Sequence, residues 1–285
     1  MVAAVFQGLS WNPVADVREL FRFPFMVHAL EAGTIAAVSA GVVGWFMVLR
    51  RQTFAGHTLA SIAFPGAAGA VLVGIPTVAG SLGFCAAGAL LLASGSGLSR
   101  GSGGESAATG SLQALGLALG FLFVGLYGGI LGDLDSLLFG TFLGVSSGQV
   151  LALLGVAAAM LAAVAAVARP LLFASVDPEV AAASGLRVRL LGAGFLVVLG
   201  LAVAQTSQIT GALLVFALLV LPAATAQRLT VRPALGVALS VGLALLVTWL
   251  GLALAYYSEY PVGFYVTSLA FGLYVVTRAV ESVRG

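Results

Sequence analysis

The chain has 285 residues, of which 61% are hydrophobic and only 8% charged: 12 basic residues, all arginine, 10 acidic ones, two His and a single Cys. A soluble domain carries roughly 25% charged residues, so a mean hydropathy of +1.14 excludes a water-soluble enzyme and equally a disordered chain. Cys85 alone excludes a zinc finger or disulfide scaffold. The absence of Lys excludes a Walker-type nucleotide site, so ATP hydrolysis, if used, belongs to another subunit. What remains is an all-α polytopic membrane protein. The net charge of +2 reflects topology rather than a nucleic-acid partner.

In chain order, residues 1–24 mix Trp11, Phe21 and Phe23 with Asp16, Arg18, Glu19 and Arg22. This predicts an amphipathic lead-in lying in the membrane interface and ending near Pro24. Residues 25–285 then form a single transmembrane domain. Its apolar runs fall at 25–49, 56–75, 78–93, 107–131, 147–168, 189–204, 209–227, 233–256 and 261–280. That is about nine spans. An eight-span count follows if 189–204 and 209–227 form one broken segment hinged at Gln205-Thr206-Ser207-Gln208. With nine spans, ten of the twelve arginines lie on one side, which puts the N-terminus outside and the C-terminus in the cytoplasm. The 38 Gly suit close helix packing in lipid. The stretch SGSGLSRGSGGES at 94–106 reads as a flexible cytoplasmic loop.

The connector RPLLFASVDPEVAAASGLRVR at 169–189 carries a compact helix signal. Asp177 is a good N-cap, Pro178 suits the first turn, Glu179 favours the positive end of the helix dipole, and Gly185 is a natural stop. A helix of about two turns over 177–186 is either a solvated loop helix or a rigid knob that transmits motion from a partner. Pro65 and Pro222 lie in or beside spans and invite kinks, as structural bends or as hinges for alternating access.

Ionisable residues inside spans cost about 2.5–3.5 kcal/mol each on insertion scales, so they are functional candidates by default. Glu31 lies in the first span, His57 at the start of the second, and Asp133 and Asp135 close the fourth. His28 precedes Glu31 by three residues and can share its face, and is read as interfacial with no role of its own. His57 is either an interfacial histidine or a ligand, Glu31 a helix–helix partner or a ligand, and Asp133 a helix cap or a ligand. One imidazole and several carboxylates can meet a divalent cation in transit, but not hold it permanently.

Four ordered strings carry a family resemblance. GVVGWFMVLRRQTFAGHTLASIAFPGAAGA, DLDSLLFGTFLGVS, GALLVFALLVLPAATAQRLT and EYPVGFYVTSLAF resemble segments of the permease subunit of bacterial zinc and manganese ABC importers. The resemblance implies a multi-pass protein of the bacterial cytoplasmic membrane, a homodimer or a dimer with a paralogous permease. It also implies an ABC ATPase subunit inside and an extracytoplasmic metal-binding protein outside, with no permanently bound cofactor and Zn or Mn as cargo. The helix at Asp177-Pro178-Glu179 falls where the family has its coupling helix. The family's Gly-Asp-x-Leu-x-His segment reads Gly56-His57-Thr58-Leu59-Ala60-Ser61 here, so His57 stands for Asp and Ser61 for His. Thr141 stands where some members carry Asp. A hydroxyl is a poor zinc ligand beside imidazole. The altered pair therefore leaves open a metal chelate, haem or another small solute as cargo. Outside this family, an ion-coupled secondary transporter and a non-transporting scaffold remain.

Overall fold

In a computed structural model that describes residues 18–95, 102–127, 144–211 and 214–284, the described residues are helical almost throughout and contain no strand. The helices are α1 (Pro24–Leu49), α2 (Thr53–Val73), α3 (Thr77–Gly95), α4 (Ser102–Tyr127) and α5 (Ser147–Val176). They continue with α6 (Pro178–Ala183), α7 (Val188–Thr210), α8 (Val215–Leu229), α9 (Pro233–Tyr256) and α10 (Val262–Arg284). Eight of the described helices are long and apolar enough to cross a membrane, and α8 is a shorter apolar helix.

Local sequence sets the helix ends. Pro24 and Pro233 occupy the first turns of α1 and α9, where a missing N–H costs nothing. Ser146 and Gln149 form a reciprocal capping box at the start of α5. Arg51, at φ 56°, takes a left-handed conformation and reverses the chain between α1 and α2.

Helix α1 lies at the centre. It packs on α9, α8, α5 and α7, while α2 packs on α3 and α4, and α10 covers α8 and α9. Small residues permit these approaches. A Cβ on Gly41 would meet the Val241 Cα at 2.6 Å, and Ser240 Oγ donates to the Gly41 carbonyl at 2.7 Å. Phe46, Met47, Leu199 and Leu218 anchor the larger apolar core. A second core joins Leu20 and Met26 to Ile209, Leu252 and Tyr257 near the other end of the bundle.

Tertiary contacts gather arginines at one end. Arg50 Nη1 donates to Ser175 Oγ at 3.1 Å, Gln227 Nε2 donates to the Trp45 carbonyl at 2.8 Å, and Arg228 pairs with Glu281 at 2.7 Å. The end of α8 therefore lies beside the end of α1. With 15 residues, α8 is roughly 22 Å long, less than the hydrocarbon thickness of about 30 Å. It still carries the chain back across the bundle, so α7 and α8 are two traverses rather than one broken one.

Several sequence expectations are revised. The break expected at Gln205–Gln208 falls instead at Gly211, whose φ of 79° and ψ of 157° suit only glycine; α7 remains helical through the polar tetrad because neighbouring helices supply hydrogen-bond partners. The loop expected at 94–106 already turns helical at Ser102, since a Gly-rich composition weakens a helix without forbidding one. Helix α5 continues past Arg169 and Pro170 to Val176, so the connector is shorter than expected. Most of the lead-in, with residues 1–17, lies outside the described residues.

Candidate functional site

His57 sits one turn into α2, and its ring packs edge-on against Phe216 of α8 with centroids 5.0 Å apart. The side chain is half-buried, and its Nδ1 is buried without a hydrogen-bond partner among the described residues. Four residues on, Ser61 Oγ donates to the His57 carbonyl at 3.2 Å. The hydroxyl is thus engaged within its own helix. Pro65, buried inside α2, has no N–H to offer the Ser61 carbonyl. An unpartnered imidazole nitrogen and a carbonyl freed from the helix ladder therefore lie about one turn apart on α2. Pro222 in α8 likewise frees the Leu218 carbonyl.

Glu31 is elsewhere. It lies eighteen residues before the end of α1, roughly 27 Å along the axis, whereas His57 is about 6 Å past the start of α2. The two cannot share one ion; a path touching both would meet them in succession. Glu31 is exposed and lines a groove of about 1090 Å³ between α1, α5 and α9, together with His28 and Thr34. Asp133, Asp135 and Thr141 lie outside the described residues. Among the described residues no three His, Cys, Asp or Glu side chains converge.

A feature beyond the sequence candidates is a neutral polar seam through the bundle. Gln205 is fully buried and its Nε2 donates to Ser39 Oγ at 3.4 Å, while its Oε1 is unpartnered among the described residues. Gln208 accepts from Thr77 Oγ1 at 3.1 Å and donates to Ser81 Oγ at 3.0 Å. Four consecutive polar residues in an apolar span were the visible signal. Their reading as a hinge missed the partners on α1 and α3.

At the arginine-rich end, the Asp177 carboxylate accepts from the Val180 N–H at 3.0 Å and opens α6. Gly185, at φ 89°, closes it: the Gly185 and Leu186 N–H groups return to the Ala182 and Ala181 carbonyls. Pro178, Glu179 and Val180 are exposed, so α6 is a short rigid projection fixed at both ends. Arg50 braces its base. It reaches Ser175 at the end of α5 and stacks over Phe195 of α7 at 5.4 Å. Burial lowers its guanidinium from the ordinary value.

Comparison with known proteins places this arrangement. Residues 22–281 match the model of the ABC 3 transport family. The manganese import system permease protein ScaB of Streptococcus parasanguinis is 30% identical over 247 residues, covering 86% of each chain. The manganese transport system membrane protein MntC of Halalkalibacterium halodurans is 30% identical over 214 residues, covering 75% of this chain and 73% of that one. Among solved structures, PsaBC from Streptococcus pneumoniae in complex with Fab superposes with a TM-score of 0.83 at 27% identity, covering 93% and 94% of the two chains. An inward-facing structure described as a metal-chelate type ABC transporter reaches a TM-score of 0.71 at 18% identity and shares the fold.

Proposed function

This chain belongs to the ABC 3 transport family, and from that premise we propose that it is the membrane-spanning permease of an ATP-driven importer of a divalent transition metal, manganese or zinc. The observation that carries the reading is the 30% identity to a manganese import permease over 86% of both chains, on a shared multi-helix fold. The chain is a multi-pass protein of the bacterial inner membrane. ATP hydrolysis resides in a separate ABC subunit, an extracytoplasmic binding protein delivers the metal, and two permease chains, identical or paralogous, flank the path.

In this reading the N-terminus is outside and the arginine-rich end faces the cytoplasm. The opposite side, by chain order, holds Asp16, Glu19, Glu31, Asp133, Asp135 and Glu259 against Arg18 and Arg22 only. That balance attracts cations to the entry side. Metal passes Glu31 and then His57, whose Nδ1 has no hydrogen-bond partner among the described residues and is the softest donor on α2. Asp133 and Asp135 are further pathway ligands. Ser61 lies one turn further along the same path; its O–H is held by the His57 carbonyl, and its neutral oxygen is a weaker metal ligand than imidazole. Helix α6, through Asp177, Pro178, Glu179 and Gly185, docks on the ATPase, and Arg50 passes its movement to α1. Pro65 and Pro222 supply the bends at which α2 and α8 flex during alternating access.

A second reading keeps the architecture and changes the cargo to a metal chelate. It is favoured by the replacement at His57 and Ser61 and by the lack of a three-ligand cluster among the described residues. One experiment separates the two. Proteoliposomes holding the permease and its ATPase are offered radiolabelled Mn²⁺ and Zn²⁺, free or pre-bound in a siderophore-type chelate. Free-metal uptake supports the first reading; uptake of only the chelated metal supports the second.

A further inference from the structure

We propose that His28 and Glu31 form a capture site for a hydrated divalent cation in the groove between α1, α5 and α9, at the end of the bundle opposite Arg50 and Arg228. His28, Glu31 and Thr34 follow at intervals of three on α1 and all line this cavity of about 1090 Å³. At that spacing an imidazole and a carboxylate sit about 5–6 Å apart at their Cβ atoms, close enough to hold one ion between them. The rest of the lining is largely apolar: Leu20, Val150, Leu154 and Leu250. Glu31 is exposed into this groove and forms no ion pair among the described residues.

The wall beneath the pair is fixed. Trp249 Nε1 donates to Thr34 Oγ1 at 2.9 Å, and Thr34 Oγ1 donates to the Leu30 carbonyl at 2.7 Å. This latch ties α9 to α1 one turn past Glu31. It occupies the threonine hydroxyl, leaving the imidazole and the carboxylate as the ligands from α1. Ser147, at the start of α5, lines the facing wall and adds a hydroxyl to the groove. Two protein ligands leave the other coordination positions to water. Such a site binds briefly and releases, as a point of entry requires. One imidazole with one carboxylate suits Mn²⁺ or Zn²⁺ better than Mg²⁺ or Ca²⁺, which favour oxygen alone.

The inference rests on the importer reading for its purpose, but its test does not depend on transport. The full chain, in lipid nanodiscs, is titrated with Mn²⁺ and followed by electron paramagnetic resonance. Binding with nitrogen modulation from one imidazole is expected in the wild type. Glu31→Gln should weaken binding at least tenfold, and Glu31→Asp should retain it. His28→Gln should weaken Mn²⁺ binding several-fold and diminish the nitrogen modulation. His28 and Glu31 lie in the groove rather than in the core, so these variants fold. The proposal is overturned if the wild type fails to bind Mn²⁺, if Glu31→Gln binds as tightly as the wild type, or if His28→Gln leaves the nitrogen modulation unchanged. In parallel, uptake by the reconstituted complex should show a KM for Mn²⁺ raised about tenfold in Glu31→Gln with the maximal rate nearly unchanged. If the nanodisc titration succeeds while the wild-type complex imports no metal, the importer reading fails and the site stands.

Discussion

Single residues in this bundle act mainly through what their backbone neighbours leave unsatisfied. His57 Nδ1 is buried and has no hydrogen-bond partner among the described residues, while the Ser61 O–H donates to the His57 carbonyl. The two positions, which look equivalent in the family motif, therefore predict different phenotypes. His57→Ala should lower uptake at saturating metal at least tenfold, and Ser61→Ala should change it less than about threefold, as initial-rate uptake in proteoliposomes will show. Glycine gives a second contrast. A Cβ on Gly44 would collide with the Leu219 carbonyl, whereas one on Gly155 would meet nothing within 4 Å. Gly44→Ala should destabilise the α1–α8 contact by about 1–3 kcal/mol, while Gly155→Ala should stabilise α5 by about 0.5–1 kcal/mol. Thermal unfolding in detergent, with both variants measured side by side, tests the pair.

At the scale of elements, what the sequence disclosed depended on how local the cause was. The start of α6 is read from Asp177 with Pro178, which act within one turn. Equally local signals open α1 at Pro24, α5 at Ser146 with Gln149 and α9 at Pro233, but the spans there are placed by hydropathy, and Pro24 is read as the end of the lead-in. The length of α7 is not set locally. Gln205-Thr206-Ser207-Gln208 looks like an interruption until Ser39, Thr77 and Ser81 of other helices supply partners, and those are tertiary facts. The same holds for the candidate site. His57 and Ser61 are named as candidates from their likeness to the family motif, whereas the groove around His28 and Glu31 exists only because α5 and α9 close on α1. Helix α6 lends itself to a direct test. Asp177→Ala removes its cap at a cost of about 1 kcal/mol. Metal-stimulated ATP hydrolysis by the complex should then fall several-fold, while Mn²⁺ binding by the permease chain stays unchanged. Equal loss of both would contradict a coupling role.

Across the whole molecule, alternating crossings put Arg50, Arg228 and Arg232 at one end and Glu259, in the α9–α10 connection, at the other. The proposed membrane orientation applies the arginine bias to this arrangement. Cys85 is fully buried, so it does not confuse a cysteine-labelling experiment. Val231→Cys, at a position 97% exposed in the α8–α9 connection, should react with a membrane-impermeant maleimide only after permeabilisation. Glu259→Cys should react in intact cells. The reverse pattern would invert the topology, and with it the direction of entry through the groove. The central claim is that this bundle moves a divalent metal using the work of a separate ATPase. Its most direct test is ⁵⁴Mn²⁺ accumulation in proteoliposomes containing the permease, its ATPase and the binding protein. The account predicts uptake that requires ATP on the arginine side and disappears when the ATPase is omitted. Uptake driven by an ion gradient without the ATPase, or no ATP-dependent uptake of manganese or zinc, free or chelated, would contradict it.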